Sequence, residues 1–173
     1  MIEWIYTTNE DNSARYTLGK KGNHNLICIG INPSTAEPEN LDNTLKKVES
    51  IALQKGYDGW LMLNLYPQRD THPENIHSKE DQDIVQENLK AITKVLGYGG
   101  YSDIWAAWGT TIDLRPYFVN CLQELRTNFD ENFNWLHFGS RTIKGHPRHP
   151  LYVAYKEEFS SFDIDDYISH LKK

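Results

Sequence analysis

Apolar residues cluster into short runs separated by segments with helical spacing. The clearest run, Leu26-Ile27-Cys28-Ile29, passes into the polar turn Gly30-Ile31-Asn32-Pro33-Ser34-Thr35. A continuous apolar, β-branched run predicts a strand buried on both faces. Three further runs read the same way: Trp60–Tyr66, stopped by Pro67; Ile104–Trp108, ending at Gly109; and Phe133–Phe138, ending at Gly139. Between them, Leu41, Leu45, Val48 and Ile51 predict a helix over about Asp42–Gln54, with Asp42 as N-cap. Ile84, Val85, Leu89, Ile92, Val95 and Leu96 predict a second over about Asp81–Leu96. Leu114, Phe118, Cys121, Leu122 and Leu125 predict a third from near Asp113, tolerating Pro116 in its first turn. A final helix is expected near Ile164–Lys172, and residues 1–22 read as a β-hairpin or extended arm. Strand and helix alternate, so the class is α/β, with a parallel sheet between helical layers in a single domain over residues 1–173.

Composition narrows the class of protein. The chain is 39% hydrophobic and 12% aromatic, enough for a sizeable core and against disorder. No apolar run approaches the ~20 residues that span a bilayer, so no membrane partner is expected. Met1-Ile2-Glu3-Trp4 lacks a basic stretch followed by an apolar core, so no signal peptide is expected either. Cys28 and Cys121 fall in predicted core elements, which makes a reducing, cytoplasmic setting the default. The net charge of −6 argues against a duplex-DNA binder. Its distribution matters more. Between Glu131 and Glu157 lie Arg141, Lys144, Arg148 and Lys156 and no acid, a local basic patch on an acidic body.

Each predicted strand ends in a polar cluster, and the carboxyl ends of parallel strands share one edge of a sheet. The first supplies Asn32, Pro33, Ser34 and Thr35; Pro33 holds Asn32 extended, able to aim its amide at a ligand or water. The second supplies Asn64, Tyr66 and Arg69, the third Trp108 and Gly109, and the fourth Lys144, His146, Arg148 and His149. An Asn inside an apolar strand must find partners, because a buried unsatisfied amide costs about 1–3 kcal/mol. The plainer alternative is that Asn32, Ser34 and Asn64 only satisfy nearby backbone. His146-x-x-His149 has a metal-like spacing but no third ligand near it in sequence, and neither a metal nor a cofactor is expected. A dinucleotide fingerprint and a P-loop are both missing from the sequence. The clusters suit a flat, polar ligand with an anionic tail: Asn64 to read an edge, Tyr66 or Trp108 to stack, and Lys144 and Arg148 to meet phosphate.

Gly30-Ile31-Asn32-Pro33-Ser34-Thr35-Ala36, Gly56-Tyr57-Asp58-Gly59-Trp60, Asn64-Leu65-Tyr66, Ala107-Trp108-Gly109 and Gly145-His146-Pro147-Arg148-His149-Pro150-Leu151-Tyr152 resemble the signature of domain of unknown function 1643, over about residues 24–155. That family in turn resembles the uracil-DNA glycosylase superfamily. The resemblance implies a three-layer α/β/α fold with a four-stranded parallel sheet in order 2-1-3-4. It implies an N-glycosidase or hydrolase acting on a nucleobase in nucleic acid or a nucleotide. Asn32 would position the attacking water, Asn64 would read the base edge, and His149 or His146 would stabilise the departing base. Two departures stand out: Ser34 replaces the glycine that follows Asn-Pro in the mismatch-specific branch, and no obvious Leu or Arg wedge is present. A nucleotide- or nucleic-acid-binding module without turnover, or a metal-dependent hydrolase using His146 and His149, are the alternatives.

Overall fold

A computed structural model describes residues 1–171. Its elements are β1 (Trp4–Thr8), β2 (Arg15–Lys20), β3 (Asn25–Gly30), α1 (Asn43–Gln54), β4 (Gly59–Asn64), α2 (Gln82–Leu96), β5 (Tyr101–Ala106), α3 (Tyr117–Arg126), β6 (Asn134–Phe138), β7 (Phe159–Ser161) and α4 (Ile164–Leu171). All seven strands join one sheet in the order β1-β2-β4-β3-β5-β6-β7.

The expected four-stranded parallel sheet is therefore corrected to a seven-stranded mixed sheet. Its centre, β4-β3-β5-β6, pairs in parallel. Residues 1–22 are no free arm. Strands β1 and β2 form a hairpin, and β2 continues the sheet antiparallel to β4, with Leu18 opposite Met62. On the other side β7 pairs antiparallel with β6. Only three residues long, it carries no periodicity to reveal it.

The sheet separates two cores. Alternate residues of the central strands, such as Ile27, Ile29, Leu61, Leu63 and Ile104, face α2, α3 and α4. Leu26, Cys28, Trp60, Met62 and Trp105 face α1. Residues Leu26–Ile29 are wholly buried, as a strand covered on both faces requires.

Helix boundaries follow local chemistry. Asp42 caps α1 by accepting the Leu45 N–H at 2.9 Å, and Asp81 caps α2. The third helix starts later than its apolar spacing suggests. A 3₁₀ segment over Gly109–Leu114 precedes it, and Pro116, which lacks an N–H, takes the N-cap position. The last residue of the expected final helix, Lys172, lies outside the described residues. Among those described, no helix is long and apolar enough to cross a membrane. Both cysteines are free and buried.

Candidate functional site

A cavity of about 720 Å³ opens at the carboxyl ends of the parallel strands, beside the end of β3, which has β4 on one side and β5 on the other. Its size suits a small ligand. Of the residues expected at a site, Asn32, Pro33, Ser34, Thr35, Asn64, Trp108, Gly109, Arg148 and His149 line it.

Asn64 is the last residue of β4 and is 1% exposed. Its backbone oxygen accepts from Asn88 Nδ2 at 3.0 Å, yet neither its side-chain Oδ1 nor its Nδ2 has a hydrogen-bond partner. Gly30, opposite it across the β3–β4 ladder, keeps this floor open. A Cβ there would sit 2.9 Å from Met62 Cε and 3.2 Å from Asn64 Oδ1.

Asn32 is held more tightly than its sequence suggests. Its Nδ2 donates to Asp70 O at 3.0 Å and Gln68 O at 3.2 Å, and to Pro33 O. The amide nitrogen thus ties the two strand-end loops together, leaving Oδ1 as the polar atom free for the cavity.

His149 faces the cavity from the loop after β6. Its Nδ1 accepts the Leu151 N–H at 3.2 Å, so in the neutral ring the proton lies on Nε2. Burial holds this imidazole below its usual value, against the pull of Asp42 and with the help of Lys47. Gly109 packs against the His149 backbone and Cβ, and its N–H donates to Pro147 O at 2.9 Å. Gly109 has φ +65°, and a Cβ on it would lie 3.3 Å from His149 Cβ, so the close approach calls for glycine.

Trp108 is among the cavity residues, but its indole packs in the core against Phe162 and Tyr167, and its Nε1–H donates to Tyr167 OH at 2.9 Å. That hydroxyl hydrogen-bonds His146 Nδ1 at 2.7 Å, and His146 Nε2 hydrogen-bonds Asp113 Oδ2 at 2.9 Å. His146, expected as a candidate catalytic group, is buried and links α4 to the loop after β6. Both its nitrogens are engaged, so it does not join His149 at one point. No cluster of three or more potential metal-ligating side chains occurs among the described residues.

Three other expected ligand contacts lie outside the cavity lining. Tyr66 is fully buried, with its OH hydrogen-bonded to His77 Nδ1 at 2.6 Å and accepting the Asp81 N–H at 3.0 Å. Arg69 works behind the wall, donating to Ser34 O at 2.6 Å, Ala36 O at 3.1 Å and Tyr6 OH at 2.7 Å. Lys144 projects into solvent beside Asp113 at 3.6 Å. Of the expected basic patch only Arg148 reaches the cavity, its Nε anchored on Ser140 O at 2.9 Å.

Sequence reasoning missed Arg15, Asp42, Asp70 and Thr142 as cavity residues. Arg15 is 2% exposed, its Nη1 donating to Ala36 O at 3.2 Å. Burial first, and the neighbouring Arg69 charge second, push its guanidinium down to about 10. The available signal was an arginine set among the strand-forming residues Ala14–Leu18.

Neither the curated proteins nor the solved structures compared with the chain gave a match. Residues 15–151, which begin at Arg15 and take in the strands, loops and glycines that build the cavity, match the family described as protein of unknown function (DUF1643), and the chain belongs to that family.

Proposed function

We propose that the cavity binds a nucleobase and that the protein hydrolyses the N-glycosidic bond of a nucleotide or of a nucleotide unit in nucleic acid. The observation that carries this reading is the carboxamide of Asn64, buried in the cavity floor with both polar atoms unpartnered. A group that costs about 1–3 kcal/mol to leave unsatisfied is kept when a ligand completes it. A carboxamide offers a donor and an acceptor side by side, the complement of the edge of a base.

The chemistry follows from the other groups. A water held by Asn32 Oδ1 attacks the anomeric carbon. The C–N bond breaks, and its electron pair leaves with the base. The neutral His149 donates Nε2–H to the charge that develops there, and the base finally takes the proton released by the water. The resemblance of Gly30–Pro33 and Leu61–Asn64 to the uracil-DNA glycosylase superfamily supports the same assignment.

A second reading is favoured by one specific observation. Asn32 Nδ2 is spent on loop carbonyls, and the two acids of the cavity wall, Asp42 and Asp70, both accept backbone N–H groups. With Asn32 committed to the loops and each acid serving a helix cap or turn through one oxygen, the arrangement also suits a nucleotide-binding module without turnover.

The test is release of free base from oligonucleotides and nucleotides carrying uracil, hypoxanthine and common modified bases. His149→Ala should lower turnover by roughly 10²–10³, the scale for losing one preorganised donor. Binding without release from any substrate would select the second reading, and neither binding nor release would end both.

A further inference from the structure

Arg15 has no part in reading a base, yet it is built into the cavity wall at 2% exposure. An arginine is almost never buried to that degree without an anionic partner. Its only acceptor is the neutral Ala36 O, and its Nε has no partner. Arg69 Nη1 donates to the same carbonyl at 3.1 Å, so two guanidinium groups converge on one oxygen. Neither forms an ion pair with a carboxylate among the described residues; the ion pairs of the molecule's lysines and arginines lie elsewhere. Asp42 and Asp70 share the wall; one oxygen of each accepts a backbone N–H, from Leu45 and from His72, and the Asp42 charge supports the Arg15 cation without forming an ion pair with it. Arg15 stays a cation at neutral pH despite its lowered value.

The amino end of α1 borders the same cavity through Asn43 and Thr44. Asp42 caps the Leu45 N–H, and the Asn43 and Thr44 N–H groups have no acceptor among the described residues. The first turn of a 12-residue helix adds partial positive charge and free donors to those of Arg15.

We infer that Arg15 and the first turn of α1 form an anion subsite for a phosphate monoester, which makes a mononucleotide, and not an internal phosphate of a strand, the substrate class. The base half of this inference rests on the function proposed above; the anion half stands on Arg15 and α1. Depth favours one kind of phosphate. Arg15 is 2% exposed, so an anion that meets it lies deep in the cavity, where a terminal phosphate fits more readily than one that must continue as chain on both sides. A monoester ends there, and its near-dianionic charge answers the Arg15 cation, which has no ion pair, with Arg69 behind the wall adding to the local positive charge.

The experiment is calorimetric titration of the full chain with inorganic phosphate, the common nucleoside 5′-monophosphates, the matching nucleosides, and a trinucleotide without terminal phosphates. The wild type should bind one or more monophosphates at least tenfold tighter than the nucleoside, and Arg15→Met should erase that preference. The trinucleotide should gain nothing from Arg15. Equal binding of nucleotide and nucleoside, a preference that survives Arg15→Met, or an Arg15-dependent gain for the trinucleotide would each overturn the inference, as would no response to phosphate or any monophosphate. Arg15-dependent binding of inorganic phosphate with no discrimination among bases would uphold the subsite and sink the base reading. If Arg15→Met does not fold, the wild-type comparison of monophosphate, nucleoside and trinucleotide still decides.

Discussion

Replacing Asn64 by leucine should make the free protein more stable and abolish ligand binding. The side chain is 1% exposed, and both Oδ1 and Nδ2 lack partners. At about 1–3 kcal/mol for each buried unsatisfied group, the two together cost about 2–6 kcal/mol in the free protein. Leucine branches at the same atom and fills similar space, but its methyl groups are larger than an oxygen or an amide nitrogen. Met62 and Gly30 lie against this position, so overpacking should return about 1–3 kcal/mol of the gain. The net expectation is a stabilisation of about 1–3 kcal/mol, or roughly 2–4 °C in midpoint per kcal/mol for a chain of this length. Chemical denaturation of wild type and Asn64→Leu, with and without ligand, measures it. The wild type should gain stability from ligand by mass action and the variant should not. Opposite signs for stability and binding mark a residue kept for function and not for folding. A variant clearly less stable than wild type, with unchanged denaturant dependence, would refute the reasoning. It would mean that Asn64 is already satisfied in the free protein.

The remaining predictions concern protonation and the basic loop. His149 and His137 are both held below the usual histidine value, chiefly by burial, so the unfolded chain takes up protons first as pH falls. Stability should be flat above about pH 7, fall as pH drops below about 6.5, and level off once the folded state is protonated too; His149→Gln should shallow that slope, as denaturation at several pH values will show. Lys144→Ala should change neither stability by more than about 0.5 kcal/mol nor mononucleotide affinity, because its pair with Asp113 is exposed and neither residue lines the cavity. A loss of affinity in that variant would restore the basic loop as a binding surface.

How much of this was legible beforehand depends on which residues carry a period. Strands β3, β4 and β5 are buried runs whose apolar character shows in one dimension, and Asp42 and Asp81 announce their helices by capping chemistry. Strand β7 has three residues and no pattern. The two histidines of the loop after β6 are chemically alike in sequence. They differ only because Gly109 packs under His149 while Tyr167, from a helix 21 residues beyond His146, engages the other. Tyr66 and Arg69 follow Asn64 closely, yet Pro67 turns the chain between them. One goes into the core beside α2 and the other behind the Ser34–Ala36 loop.

Arg15 shows a more general reason why a site can hide. In a parallel sheet, chemistry gathers at the carboxyl ends of strands, so the residues just after each apolar run are the natural candidates. Strand β2 runs the other way, antiparallel to β4. It is therefore the first residue of β2, and not its last, that meets the edge where β3, β4 and β5 end. The contacts fix this placement: the Arg15 N–H donates to Pro67 O at 3.0 Å and the Arg69 N–H to Ser13 O at 2.8 Å, so the entry to β2 is stitched to the exit from β4. A hairpin that reads as an appendage thus delivers a buried cation to the cavity. The direction of one edge strand, which periodicity cannot report, decides whether its arginine belongs to the ligand site or to the opposite end of the sheet.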